Sequence, residues 1–348
     1  MFDLEKIVRP NIKKMKPYSS ARNEYKGTEG VFLDANENPY NKPYNRYPDP
    51  LQNDLKEKLG SIKKVNPSQI FLGNGSDEAI DLLIRAFCEP GKDAVLSISP
   101  SYGMYEVAAD TNAVEFRTVS LNPDFTLDID RLKKAIDSTV KLIFICSPNN
   151  PSGNQFYKED ILSLTKNFDG LVVVDEAYID FSPNSSIIGD LNNYKNLVVL
   201  QTFSKAWGLA GIRLGLAFAS EEIIAVLNKI KYPYNVNILT QKVALEALNK
   251  PEEKEKWVNT ILLQKCFLTE KLRNLQCVEH IYPSEANFLL VKTKKTDELF
   301  RYLIDKQVIT RNRSKVALCE GCIRITVGTE IENRILIETI SDFEAEHL

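Results

Sequence analysis

The spacing of apolar runs predicts an α/β fold: a large domain with a mostly parallel, seven-stranded sheet flanked by helices, followed by a smaller α+β domain. Two observations carry this reading. Seven short apolar runs, at 70–72, 94–98, 114–119, 142–146, 171–174, 197–200 and 214–218, recur along the chain, and helical patterns or turns separate most of them. Strands that alternate with helices build a parallel sheet covered on both faces. After about Pro251 the texture changes to a charged helix near 252–275, a strand at 287–291, a helix near 297–305 and an alternating strand at 323–327. Few strands with helices between them predict a separate, smaller unit.

The first 50 residues read as irregular, because Pro10, Pro17, Pro39, Pro43, Pro48 and Pro50 interrupt any long element. Segments 17–22 and 34–40 read as an arm and a loop. From Leu51 the pattern is regular. Residues 51–59 have apolar positions at helical spacing, 70–72 is a strand, and 73–76 is a turn. Residues 77–87 read as a helix with Ile80, Leu83, Ile84 and Phe87 on one face and Ser76 as its N-cap. The expected division is an arm at 1–50, a large domain at 51–250 and a small domain at 251–348.

Composition narrows the function classes. A chain of 348 residues buries a large core, and the net charge of −3 points to no nucleic-acid or acidic-membrane partner. The first residues carry early acids and no apolar core, unlike a signal peptide. No run approaches the roughly 18 apolar residues of a membrane span. The expected location is cytoplasmic. The two histidines, His280 and His347, are a poor basis for a Ser-His-Asp triad or a multi-histidine metal site. Cys319 and Cys322 form a C-x-x-C ahead of a strand, without the second ligand pair that zinc requires. No metal is expected.

Chemistry concentrates in a few short stretches. Lys205 lies between the runs 197–200 and 214–218. Partial desolvation lowers a lysine's pKa and exposes the neutral amine that Schiff-base chemistry needs. Thr202, Ser204 and Arg213 beside it offer hydroxyls and a planar cation, a set that suits phosphate. Gly75, Ser76 and Asp77 lie where a strand hands over to a helix, either a phosphate-binding turn or a simple capped turn. Glu78 breaks the G-x-G-x-x-G pattern and disfavours a dinucleotide fold. Asp175 ends a buried run thirty residues before Lys205, about one strand–helix–strand unit. It reads as a partner for a protonated pyridine nitrogen or as a helix cap. Asn150 sits in a proline-bounded loop after another run, and Tyr102 after a fourth. The first is a donor for a ring oxygen or a plain loop residue. The second is a stacking aromatic or part of the core. A lysine beside a phosphate cradle suggests pyridoxal 5′-phosphate (PLP).

These motifs together resemble the fold-type I PLP-dependent aminotransferases, and within them the branch that acts on histidinol phosphate. The matching residues are Tyr18, 20–22, 36–39, 46–48, 73–78, 149–151, 175–178, Ser204-Lys205 and 324–328, and the resemblance spans nearly the whole chain. It implies that Lys205 carries the coenzyme aldehyde, that Asp175 holds the pyridinium proton, that Asn150 and Tyr178 bond the ring's 3-oxygen, and that Tyr102 stacks on the ring. It implies a phosphate site at Ser204, Thr202, Arg213 and the amides after Gly75, namely those of Ser76 and Asp77. It also implies a homodimer in which Tyr47 reaches the neighbouring subunit's phosphate. The substrate site would comprise Tyr18, Asn36, Arg311 and Arg324, with Arg313 able to replace Arg311. The implied reaction is amino transfer between L-histidinol phosphate and 2-oxoglutarate, giving imidazole-acetol phosphate and glutamate in histidine biosynthesis. Trp207 and Ser152 depart from the phenylalanine and threonine usual in the family, away from the proton chemistry.

Three alternatives remain open from the sequence. An aromatic-amino-acid aminotransferase would keep the cofactor site without a phosphate clamp, and a threonine-phosphate decarboxylase would keep both. A DNA-binding regulator on the same fold would need a basic recognition domain, for which the chain has no room before Leu51.

Overall fold

Seven strands, β1 (Ile70–Asn74), β2 (Ala94–Ser99), β3 (Glu115–Ser120), β4 (Val140–Cys146), β5 (Leu171–Asp175), β6 (Leu197–Thr202) and β7 (Leu214–Phe218), form one sheet in the order β1-β7-β6-β5-β4-β2-β3. The structure is a computed structural model and describes residues 2–18 and 30–348. The β2–β3, β2–β4, β4–β5 and β5–β6 pairs are parallel. β7 runs antiparallel to both of its neighbours, β6 and β1. The reason lies in its connection. Residues 203–213 hold one short 3-10 turn, Ala210–Ile212, and no crossover helix of the kind that returns a chain to a parallel start.

Both faces of the sheet are buried, so its strands are apolar on both sides. Alternate residues of one strand go to different cores. Leu72, Ile143, Val172 and Val199 join one cluster, while Phe71, Phe144, Val173 and Val198 join the other. The helix Ser76–Phe87 packs Ile80, Leu83, Ile84 and Phe87 into the second cluster, the face its spacing predicts.

Several boundaries differ from the sequence reading. Ser76 is the first residue of its helix, and Gly75 stands at the N-cap with φ 80°. The turn needs that left-handed geometry to bring the chain against Arg213, which glycine adopts at little cost. The predicted helix at 51–59 runs Asn53–Lys63 instead. The predicted irregularity of residues 1–50 fails between 4 and 14. Helices Leu4–Ile7 and Pro10–Lys14 bury Ile7, Val8 and Ile12 in the second cluster. The Arg9 N–H donates to the Ala86 carbonyl at 3.0 Å, and its guanidinium pairs with Glu89 at 3.2 Å. Helices of four or five residues carry too little periodicity to read and are stabilised by docking.

The last third of the chain forms a four-stranded antiparallel sheet, β8 (Val278–Ile281), β9 (Phe288–Thr293), β10 (Arg311–Asn312) and β11 (Cys322–Thr326), in the order β10-β11-β9-β8. Helices Pro251–Arg273, Thr296–Asp305 and Glu330–His347 cover it. Leu268, Leu289, Leu299, Ile323, Leu336 and Phe343 share its core. No described helix is long and apolar enough to cross a membrane.

Candidate active site

Parallel strands end at the same edge of a sheet, and such edges bind ligands. Here the edge gathers the side chains that the sequence singled out. Asp175 is the last residue of β5, and its register partner on β4 is Cys146. Lys205 follows β6 by three residues, Asn150 follows β4, and Tyr102 follows β2. One cavity is lined by Gly75, Ser76, Asp77, Tyr102, Asn150, Asp175, Tyr178, Thr202, Ser204, Lys205 and Arg213. Residues spread over about 140 positions of sequence thus meet in one place.

The charges in this cavity are poised for proton chemistry. Burial lowers the pKa of Lys205, the Arg324 cation lowers it further, and Asp175 and Asp77 oppose the shift. The Lys205 amine lies 5.5 Å from the centre of the Tyr178 ring. Asp175 is only 2% exposed, and burial pushes its carboxyl up to about 6. Its Oδ2 accepts from the Tyr105 hydroxyl at 2.9 Å and its Oδ1 from the Ala177 N–H at 3.0 Å. Burial also raises the phenols of Tyr178 and Tyr102, and the Tyr102 hydroxyl donates to Asp77 Oδ1 at 3.1 Å.

A second part of the cavity is a turn shaped to approach an anion. A Cβ on Gly215 would lie 2.0 Å from the Ser76 nitrogen, so β7 runs hard against the turn. The Gly75 N–H donates to the Arg213 carbonyl at 2.8 Å, and the Arg213 guanidinium lies 3.6 Å from Asp77. The helix Ser76–Phe87 starts here without a side-chain cap, so its first N–H groups and their positive partial charge face the cavity. Thr202 does something narrower than expected. Its hydroxyl donates to the Leu214 carbonyl at 3.3 Å and accepts from the Ser204 N–H at 3.1 Å, which shapes the loop carrying Ser204 and Lys205.

The substrate residues divide. Arg311, Arg313 and Arg324 line an adjoining cavity that shares Tyr102, Asn150, Tyr178 and Lys205 with the first. Arg311 and Arg324 are register partners on β10 and β11. Arg324 Nη1 donates to Asn150 Oδ1 at 2.5 Å, leaving the amide's own donors for a ligand. The Arg313 Nε is buried without a hydrogen-bond partner among the described residues. Burial lowers the pKa of Arg313 and Arg324, and neighbouring arginines add to it. Guanidinium groups stay charged regardless, so the cluster holds positive charge that a bound anion would relieve. Tyr18 and Asn36 are exposed and line neither cavity, and Asn36 has φ 54°. Tyr47 is stacked on Tyr234 at 4.4 Å, outside both cavities. The matched segment 20–22 lies outside the described residues.

Two residues of the site carry no role in the sequence reading. Tyr105 is fully buried beneath the cavity, and Cys146 lines it with a thiol raised by burial and by Asp175. Tyr105 lies in the first turn of the helix Met104–Thr111, three residues after Tyr102, which precedes the helix, and the two rings meet edge-on at 5.5 Å.

Comparison with known proteins supplies the setting. A family profile described as "Aminotransferase class I and II" matches residues 21–340. The chain is similar to the histidinol-phosphate aminotransferase of Parabacteroides distasonis, with 57% identity over 99% of this chain and all of that one. It is also similar to the protein of that name from Bacteroides thetaiotaomicron, with 54% identity over 99% of this chain and all of that one. Among solved structures, the histidinol-phosphate aminotransferase from Clostridium acetobutylicum matches with TM-score 0.81 and 25% identity, over 87% of this chain and 92% of that one. The Sinorhizobium meliloti protein of that name, solved with pyridoxal 5′-phosphate, has the same fold at TM-score 0.76 and 24% identity, over 86% and 84%.

Proposed function

The chain belongs to the class I and II aminotransferases, and from that premise we propose how its residues divide the work of one reaction. It is a PLP-dependent enzyme that moves the amino group of L-histidinol phosphate to 2-oxoglutarate, yielding imidazole-acetol phosphate and glutamate. The observation that carries this reading is the joining of two cavities. One offers a partly desolvated lysine opposite a buried carboxylate, the other three arginines, and Lys205 lines both.

The donor set fits the coenzyme. A helix start that glycines keep open, with Ser204 and Arg213 beside it, suits the phosphate, and the buried Asp175 lacks a cation that a ring N–H would supply. When bound, the coenzyme supplies an aldehyde and a ring that draws electrons from the substrate α-carbon. Lys205 would hold that aldehyde and, once the substrate amine has displaced it, its freed amine would carry the proton between the α-carbon and the coenzyme C4′. Its lowered pKa supports both tasks. Asp175 keeps the ring nitrogen protonated. Tyr178 and the Asn150 amide donate to the ring's 3-oxygen, and Tyr102 covers one face. The Ser76 and Asp77 amides, Ser204 and Arg213 would hold the coenzyme phosphate, with Thr202 shaping the loop that presents Ser204.

Arg311 and Arg324 take the substrate phosphate, with Tyr18 and Asn36 joining from the arm. Arg313 strengthens the positive field from its half-buried position. Arg324 also receives a glutamate carboxylate in the second half-reaction. A homodimer in which Tyr47 completes the neighbour's phosphate site is part of this reading. The nearly bare side chains of Val31 and Leu33, 88% and 89% exposed, support a covered surface along the arm. The place of work is the cytoplasm.

The test is an absorbance spectrum of the purified protein before and after histidinol phosphate, with turnover measured in parallel on phenylalanine and threonine phosphate. The expected result is a visible coenzyme band that bleaches, and turnover dominated by histidinol phosphate. Equal turnover of phenylalanine would remove the phosphate clamp, and release of carbon dioxide from threonine phosphate would make the enzyme a decarboxylase.

A further inference from the structure

The Tyr105 phenol meets the Asp175 carboxylate inside the molecule, and neither is open to solvent. Tyr105 is pinned there by its neighbours. Its ring is stacked on Phe144 at 4.7 Å and meets Tyr102 edge-on at 5.5 Å. A buried phenol needs an acceptor, and a buried carboxylate needs donors. Among the described residues each Asp175 oxygen has one protein donor, Tyr105 on Oδ2 and the Ala177 N–H on Oδ1. Two contacts on opposite oxygens fix the rotation of the carboxylate plane and leave lone pairs for a ligand.

We infer that Tyr105 is a positioning residue for amino transfer: its hydroxyl orients Asp175 and keeps it charged for the coenzyme's ring nitrogen. The inference rests on the role given to Asp175 above. The groups facing Asp175 come from several elements. Asp77, on the helix above, repels its charge, and Lys205, in the loop after β6, attracts it. Cys146 on β4 is a neutral thiol held neutral by burial. Lys205 stops contributing whenever its amine is neutral, as its chemistry requires. The phenol and the Ala177 amide are then the standing support. Burial and Asp175 itself push the Tyr105 phenol well above its ordinary range, so it remains a proton donor throughout.

The experiment uses full-length apoprotein, wild type and Tyr105→Phe, and measures PLP affinity across pH 5–9. Phenylalanine keeps the ring stacked on Phe144 and removes only the hydroxyl. In the wild type, affinity falls as acid protonates Asp175. In Tyr105→Phe the midpoint of that fall moves up by about one pH unit, and affinity at neutral pH drops roughly tenfold, the scale of one hydrogen bond to a charged group. kcat falls with it while KM for histidinol phosphate holds. A folded variant with wild-type midpoint and affinity overturns the inference. Should Tyr105→Phe not fold, 3-fluorotyrosine placed at position 105 alone is a stronger donor of nearly the same shape. It must move the midpoint down, and a fixed midpoint overturns the inference equally. Asp175→Asn separates the layers. If it binds PLP as tightly as wild type, the role of Asp175 falls and this inference with it. If it binds poorly while Tyr105→Phe is normal, only Tyr105 loses its role.

Discussion

Replacing Gly215 by alanine should damage the coenzyme site without touching any side chain in it. The added Cβ would stand 2.0 Å from the Ser76 nitrogen and 2.2 Å from the Gly75 carbonyl carbon, where real contacts essentially never fall under 3.0 Å. Something must therefore move by at least about 1 Å, and all the neighbouring atoms are backbone. β7 is held from the other side by β6, through pairs such as Thr202 with Gly215, so the yielding part is the turn. A shift of that size stretches the 2.8 Å bond from the Gly75 N–H to the Arg213 carbonyl beyond hydrogen-bond range. Overpacking costs about 1–3 kcal/mol, and the lost bond about 0.5–1.5 kcal/mol more, so stability should fall by roughly 2–4 kcal/mol. The amides at the start of the helix move as well. Losing one charged hydrogen bond to phosphate weakens coenzyme binding by roughly tenfold to a hundredfold. Denaturant unfolding of the apoprotein reads the first effect and coenzyme titration the second. Gly211→Ala is the control, because no atom of the described residues lies within 4 Å of its would-be Cβ and its backbone is unstrained. If Gly215→Ala matched Gly211→Ala in both measurements, the close approach of β7 to the turn would be refuted.

Lys205→Ala should retain PLP through non-covalent contacts alone, losing the visible band of the linked coenzyme and at least about a thousandfold in turnover, in line with general-base and nucleophile losses; near-normal turnover would reassign the base. Arg311→Ala should raise KM for histidinol phosphate by roughly tenfold or more while leaving coenzyme affinity unchanged, since a charged hydrogen bond contributes about 1.5–3 kcal/mol; an unchanged KM would move the phosphate elsewhere in the arginine cluster. The buried Asp175 also links stability to pH in the apoprotein. Its carboxyl is raised from 3.8 to about 6 in the folded state, so its ionisation opposes folding. That penalty is absent below the unfolded value, grows between pH 4 and 6, and is complete above. A shift of about 2 units corresponds to about 3 kcal/mol. Asp175→Asn apoprotein should thus gain on wild type as pH rises through that window and be no more stable below it; a difference that stays flat with pH would mean Asp175 is not desolvated.

The parts of this molecule that were legible in the sequence are those where local chemistry and burial agree. Lys205 stood out because apolar runs enclose it, and Asp175 because a buried strand ends on it. The seven strands were readable because both faces of the sheet are apolar. Strand direction was not readable, since β7 is as apolar and buried as the parallel strands of the sheet and only its helix-free connection betrays the reversal. β8 was missed because its residues are half-exposed, and β10 because two residues carry no period. Tyr105 looked like core because it is core. Its hydroxyl acquires meaning only when tertiary packing brings it to Asp175, seventy residues further along the chain.

The reversed β7 sets a timetable for assembly. β1 touches the large sheet through β7 alone, yet the two are separated by about 140 residues of chain. As the polypeptide leaves the ribosome, the strand before the turn at Gly75 therefore lacks its sheet partner until the segment at 214–218 arrives to dock it. Completion of the cavity this turn lines waits on the last strand of the sheet to be made, and a nascent chain truncated before that point carries the turn without β7 behind it.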